Sequence, residues 1–178
     1  CLRAANEAAN ERDVSIKTVL ADMREPRFID QFDAVINMFT AFGYLESETE
    51  DLKVLDSASR ALKRGGKLLL DTINREWVMA NNISTEWRTD DNGTLHLESR
   101  EMDLETSLNH VTFTTIDTQG NRDSSVGHHI RMYTLTEMIN MFQAVGLKYQ
   151  GVYGGFDGES YSRNCKRMIV VGKKTHSP

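Results

Sequence analysis

The run Phe32-Asp33-Ala34-Val35-Ile36-Asn37-Met38-Phe39 constrains this chain more than any other stretch. Its apolar centre is too short for a helix, is rich in β-branched residues, and passes into polar and aromatic ones. A strand covered on both faces, with its carboxyl end opening into a site, reads this way. Upstream, residues 16–21 form a second such pattern, ending on Asp22. Downstream, a helical segment leads through Lys63-Arg64-Gly65-Gly66 into a third strand, residues 67–72. Strand, helix and strand joined by tight glycine turns predict parallel strands with right-handed crossovers. Sheets of this kind bind ligands beyond their carboxyl ends. Here those ends are Asp22-Met23, Asn37-Met38-Phe39 and Asp71-Thr72-Ile73-Asn74.

The flanking segments sharpen this reading. Residues 2–12 are Ala- and Glu-rich and helical in propensity, yet start without a cap residue. Pro26 biases Glu25 away from helical geometry, so residues 22–26 read as a loop. From about Ser47, Leu52, Leu55, Ser59 and Leu62 keep helical spacing, and Gly65-Gly66 is the expected helix stop. Residues 84–133 switch to period-two patterns separated by polar turns such as Asp91-Asn92-Gly93. Three antiparallel strands are expected there, at residues 94–104, 108–117 and 126–133. Thr134-Leu135-Thr136-Glu137 then has the form of a capping box opening a helix that Gly146 closes. Residues 149–153 and 168–171 are the last strands, and the helix-free loop between them implies an antiparallel pair. The domain reading is an α/β core of residues 1–83 and 134–178, with residues 84–133 an inserted lid or dimerisation meander.

Composition narrows the partners. A length of 178 residues suffices for one domain with a real core, and the formal net charge of −5 argues against nucleic-acid backbone. No apolar run is long enough to span a bilayer as a helix. Two cysteines, Cys1 and Cys165, imply no disulfide framework, which suits a reducing cytoplasm. Adjacent histidines point to opposite faces of a strand, and no Cys or carboxylate has ligand spacing, so no metal is expected.

The ordered set Ala21-Asp22-Met23-Arg24, then residues 32–39, then Leu62 to Asp71 resembles the latter part of class I S-adenosylmethionine-dependent methyltransferases. Residues 39–45, Arg131-Met132-Tyr133-Thr134 and the stretch 153–158 are similar to the small-molecule and amino-sugar N-methyltransferase subset. The resemblance implies a Rossmann-like α/β sheet whose last strand is antiparallel, with the meander inserted. It implies S-adenosyl-L-methionine as cofactor and a small-molecule amine or hydroxyl as methyl acceptor. The family's glycine-rich loop and the acid ending its second strand have no counterpart here, and would lie just before Cys1. With the uncapped first helix, this yields the expectation of an N-terminally incomplete enzyme that binds the cofactor poorly by itself.

By resemblance, Asp22 accepts from the adenine amino group and Met23 offers its backbone N–H to the ring, while Asn37, Met38 and Phe39 border the methionine part. Core packing is the competing reading for Met38 and Phe39. Phe42 and Tyr44 are candidates for the acceptor wall, and an aromatic wall suits a sulfonium. In the meander, alternation puts Val126, His128, Ile130 and Met132 on one face and His129, Arg131 and Tyr133 on the other. If the apolar set faces a core, the second faces solvent or the site mouth. His129 and Tyr133 are then the catalytic candidates, His129 as proton acceptor, and Arg131 and Arg167 the substrate-binding ones. An exposed sheet face with a bonded Arg–Tyr pair is the plain alternative. Two rival functions are a non-catalytic methyltransferase-like domain that dimerises through exposed strand edges, and, more distantly, a nicotinamide-dependent Rossmann enzyme.

Overall fold

The structure, a computed structural model, describes residues 2–81 and 83–175. The parallel unit forms as its glycine turns and apolar runs require. Strand β1 (Phe32–Asn37) lies parallel to β2 (Leu62–Ile73), and helix α2 (Glu48–Ala61) crosses between them. Ser47 caps α2, accepting from the Glu50 N–H. The helix stops at Ala61, earlier than the predicted Gly65-Gly66, because Leu62 is already extended and fully buried. The glycines serve the bend that follows: Gly65 has φ of 84°, and a Cβ on Gly66 would come within 2.9 Å of the Lys63 carbonyl.

After α4 (Leu135–Ala144), strands β7 (Leu147–Tyr153) and β8 (Arg167–Lys174) return as an antiparallel pair. Strand β8 inserts between β2 and β7, so the sheet order is β1-β2-β8-β7 with the last strands antiparallel. The capping box at α4 is present in both directions, Thr134 Oγ1 accepting from the Glu137 N–H and the Glu137 carboxylate accepting from the Thr134 N–H. Helices α2 and α4 cover one face of this sheet. Leu55, Leu68, Leu70, Met138, Phe142 and Met168 form the middle of the core.

Two further expectations fail. Residues 16–21 are not a strand but an exposed extended segment. A strand exists only where a ladder partner receives its backbone groups, and β1 stands at the sheet edge with no described strand on its outer side. The segment after it runs back along α2, from Arg24 on Glu50 (2.7 Å) to the Asp30 N–H on the Arg60 carbonyl (2.9 Å). Asp22 therefore lies by the first turn of α2, at the end where β1 finishes.

The meander has four strands, one more than predicted: β3 (Thr85–Thr89), β4 (Leu95–Met102), β5 (Leu108–Ile116) and β6 (Arg122–Arg131). They form a second antiparallel sheet in that order. A five-residue strand with no apolar alternation leaves little periodic signal. Two short helices complete the fold, α1 (Leu2–Glu11) and α3 (Arg75–Ala80), the latter capped by Asn74. No helix among the described residues is long and apolar enough to cross a membrane.

Candidate active site

At the carboxyl ends of β1 and β2, the chain forms a clamp around a fully buried acid. Asp71 accepts the Phe39 N–H at 2.7 Å, and its carbonyl accepts the Thr40 N–H at 3.1 Å. Arg167 Nη1 donates to both Asp71 carboxylate oxygens, at 2.8 and 2.6 Å. These bonds hold Phe39 and Thr40 at φ of 59° and 57°. Left-handed geometry is costly for non-glycine residues, most of all for a β-branched threonine. The result is that the Phe39 ring stands 72 % exposed over the crevice instead of entering the core. The Arg167 guanidinium lies 5.7 Å from that ring and 4.9 Å from Phe156. Asn37, which ends β1, has a buried Oδ1 with no hydrogen-bond partner. Met38 beside it is half-buried.

Asp22 and Met23 sit in the neighbouring loop, Met23 half exposed. Arg24 grips the Asp22 carboxylate with Nε and Nη2 and holds its pKa down to about 2. The same guanidinium reaches Glu50, so Asp22 is ionised and bound to the first turn of α2.

Next to this crevice, a cavity of about 440 Å³ separates the two sheets. Its floor is Thr40, Ile73 and the α3 residues Trp77 and Val78, with Lys166 at the start of β8. Its roof is one face of the second sheet, where Glu86, Glu98, Arg100, Asn109 and His128 supply the polar groups. Arg100 ties the roof together, donating to Glu98 and to Glu86 at 2.9 Å each. Lys166 Nζ lies 5.3 Å from the Trp77 ring, and the Tyr44 and His128 rings are 5.6 Å apart. Val111, Ile130 and Met132 make the rest of the wall apolar.

The sequence-predicted residues divide between these places. Asn37, Met38, Phe39 and Arg167 come together at the clamp, although Arg167 is committed to Asp71. Tyr44 reaches the cavity, but Phe42 is buried in the core against Tyr133, ring centroids 5.5 Å apart. Tyr133 is also core: its OH donates to the buried Asp51 at 2.7 Å, and burial followed by that bond raises its pKa. Arg131 spans Glu48 (2.9 Å) and Glu137 (3.4 Å), outside the cavity lining. His129 lies on the outer sheet face, where its Nδ1 meets His110 Nδ1 at 2.6 Å.

The cavity receives His128 in its stead, because the face of β6 that carries Ile130 lines the cavity and not a closed core; a bulge lies just before it. Gly127 and His128 together oppose Val111, so the ladder steps from His110↔His129 to Thr112↔Val126. Val126, grouped with His128 by simple alternation, is thereby turned outward and is 72 % exposed. Gly127 is needed there, since a Cβ would come within 2.6 Å of the Phe113 ring. Sequence reasoning also passed over Thr40, Glu86, Glu98, Arg100, Asn109 and Lys166. For Glu98 with Arg100, and Asn109 with Val111, period-two spacing was an available signal.

Comparison with known proteins agrees with this architecture. A methyltransferase-domain family model matches residues 1–70, which hold β1, α2 and most of β2. The chain is 28 % identical over 144 residues to dTDP-3-amino-3,4,6-trideoxy-alpha-D-glucopyranose N,N-dimethyltransferase of Streptomyces venezuelae. That alignment covers 77 % of this chain and 59 % of the relative, so the chain spans about three fifths of the relative's length. Among solved structures, the CcbJ methyltransferase of Streptomyces caelestis superposes with a TM-score of 0.76 at 15 % identity, covering 89 % of this chain and 63 % of that one. An S-adenosylmethionine-dependent methyltransferase of Clostridium acetobutylicum gives 0.79 at 14 % identity, covering 98 % and 71 %. Sheet order and these superpositions give the chain a Rossmann-like fold similar to that of the class I methyltransferases.

Proposed function

We propose that this chain takes part in methyl transfer from S-adenosylmethionine to an amine or hydroxyl of a small molecule held between the two sheets. The observation that carries the reading is the shared border at Thr40. It is held in the crevice by Asp71, and it also lines the 440 Å³ cavity. A methyl donor in the crevice and an acceptor in the cavity would therefore meet at one boundary.

The crevice residues fit the cofactor. The buried, unpartnered Asn37 Oδ1 is an acceptor suited to an ammonium, and the exposed Phe39 ring suits a sulfonium. Asp22, kept ionised by Arg24, is an acceptor at the same end of the sheet. When bound, S-adenosylmethionine supplies a methyl group on positively charged sulfur. The chain's own contribution is positioning, which in well-aligned systems accounts for roughly 7–11 kcal/mol of barrier. Trp77 and Tyr44 give flat surfaces for an acceptor, and Ile130, Met132 and Val111 exclude water from it. Glu86 and Glu98, held by Arg100, favour an acceptor bearing an amine. His128 is the cavity imidazole, suited to take the proton from the attacking nitrogen or oxygen. The amino-sugar dimethyltransferase relative makes an amine the favoured acceptor.

Mass spectrometry of amine and alcohol libraries incubated with S-adenosylmethionine tests the reading. The expected product is one methyl heavier, and His128→Ala should lower its rate by roughly 10²–10⁴-fold while His129→Ala leaves it near wild type. Transfer to no member of either library, together with no calorimetric binding of S-adenosylmethionine, would refute it.

A further inference from the structure

Strand β3 is a free edge of the second sheet, and all five of its residues, Thr85-Glu86-Trp87-Arg88-Thr89, are exposed. Trp87 at its centre is 67 % exposed. An open edge is a template for another strand, and two features of this one say which strand. The first is backbone parity. The Arg100 N–H donates to the Ser84 carbonyl at 2.8 Å, and the Asp90 N–H to the Thr94 carbonyl at 3.0 Å. With Glu86 opposite Glu98 and Arg88 opposite His96, the hydrogen-bonded pairs of the β3–β4 ladder are the even-numbered ones of β3. Thr85, Trp87 and Thr89 consequently turn their N–H and C=O groups away from β4, toward the open side.

The second feature is the order of side chains. Read against itself in the opposite direction about Trp87, the strand sets Glu86 against Arg88, Arg88 against Glu86 and Thr85 against Thr89. A parallel pairing sets Glu86 beside Glu86. An antiparallel pairing centred on Glu86 or Arg88 opposes a charge to itself and joins backbone groups already used by β4. Centring on Trp87 satisfies parity and charge together.

We infer that a second copy of this chain pairs antiparallel on β3, with a twofold axis at Trp87, making one eight-stranded sheet from two four-stranded ones. The pairing is isologous, as a closed dimer requires. Glu86 and Arg88 of the second copy occupy non-hydrogen-bonded positions, where side chains approach most closely. Among the described residues Arg88 has no ion-pair partner in its own chain, and Glu86 is 60 % exposed beyond its bond to Arg100. Glu86 also lines the cavity. Resting on the functional reading above, the second copy's Arg88 completes the rim of the acceptor site.

Light scattering and sedimentation over a dilution series test the pairing without any methyl-transfer assay, so its failure is separate from failure of the proposed activity. Wild type should be a dimer. Either E86R or R88E puts like charges across both symmetric positions and should raise the dimer dissociation constant about tenfold or more. The double swap E86R/R88E keeps the self-complementary order and should restore the dimer. Trp87→Pro removes an N–H that serves no bond to β4, so it should give a monomer whose circular dichroism is unchanged. A wild-type monomer, a dimer indifferent to both R88E and Trp87→Pro, or a double swap that stays monomeric overturns the inference.

Discussion

The two sheets of this molecule stand in different relations to water. In the first, β2 and β8 lie beneath α2 and α4, and Leu62, Leu70, Met138, Phe142, Met168 and Val170 are wholly buried. In the second, the buried apolar side chains are few, Val111 and Ile130 among them, and both face the cavity. Its other face carries Trp87 and Val126, each more than 60 % exposed. The first sheet is held by packing, where each methylene matters. The second is held by ladder bonds, ion pairs and its seat over the cavity. A scaffold of the first kind fixes the crevice at Asp71, while a roof of the second kind can vary in sequence at low cost to stability.

Substitutions can break that contrast. The largest expected effect is Phe142→Ala, since Phe142 is fully buried and packed so closely on Gly172 that a Cβ there would lie 2.6 Å from its ring. A loss of about 3–5 kcal/mol in denaturant unfolding is expected. Tyr133→Phe comes next: it leaves the buried Asp51 without its hydroxyl donor and should cost about 1–3 kcal/mol. Thr134→Ala removes the cap of α4 and should cost about 1 kcal/mol. At the bottom, Val126→Ala in the second sheet should change stability by less than about 0.5 kcal/mol. A Val126→Ala loss as large as that of Phe142→Ala would erase the distinction between the sheets.

Asp51 sharpens the comparison through pH. Burial raises its pKa above the ordinary 3.8, and the Tyr133 hydrogen bond opposes that shift without cancelling it. A carboxyl with a raised folded-state pKa contributes stability below its unfolded value and loses that contribution as pH rises through the folded one. Asp51→Asn keeps an acceptor for the Tyr133 hydroxyl but cannot ionise. Its melting temperature relative to wild type should therefore climb as pH is raised from below 3.8 to neutrality. A difference that is flat with pH would show that Asp51 carries no such burial cost.

Much of this molecule was legible from local chemistry. The Thr134–Glu137 capping box, the glycine bend at Gly65 and the parallel β1–β2 unit rest on residues close in sequence, or on apolar runs whose length admits one reading. The crevice at Asn37, Phe39 and Asp71 followed from them, because strand ends in a parallel sheet share one side. The cavity was less legible. The choice of His129 over His128 rests on the premise that the apolar face of β6 packs on a core, whereas Ile130 and Met132 line the cavity and bring His128 with them; the extra residue opposite Val111 turned out only Val126. Tyr133 and Arg131 looked like mouth residues until Asp51, Glu48 and Glu137, distant or on another element, claimed them.

By itself, then, the order of residues determined the parallel β1–β2 unit, the helices α2 and α4, the antiparallel last pair, and where the sheet would open. Tertiary structure alone decided that residues 16–21 stay unpaired, that β3 exists, and which histidine faces the cavity. The physical reason is the range of the interactions involved. Caps, turns and periodicity act within a few residues, whereas a ladder, a bulge or a buried hydrogen bond depends on a partner that the chain meets only once folded.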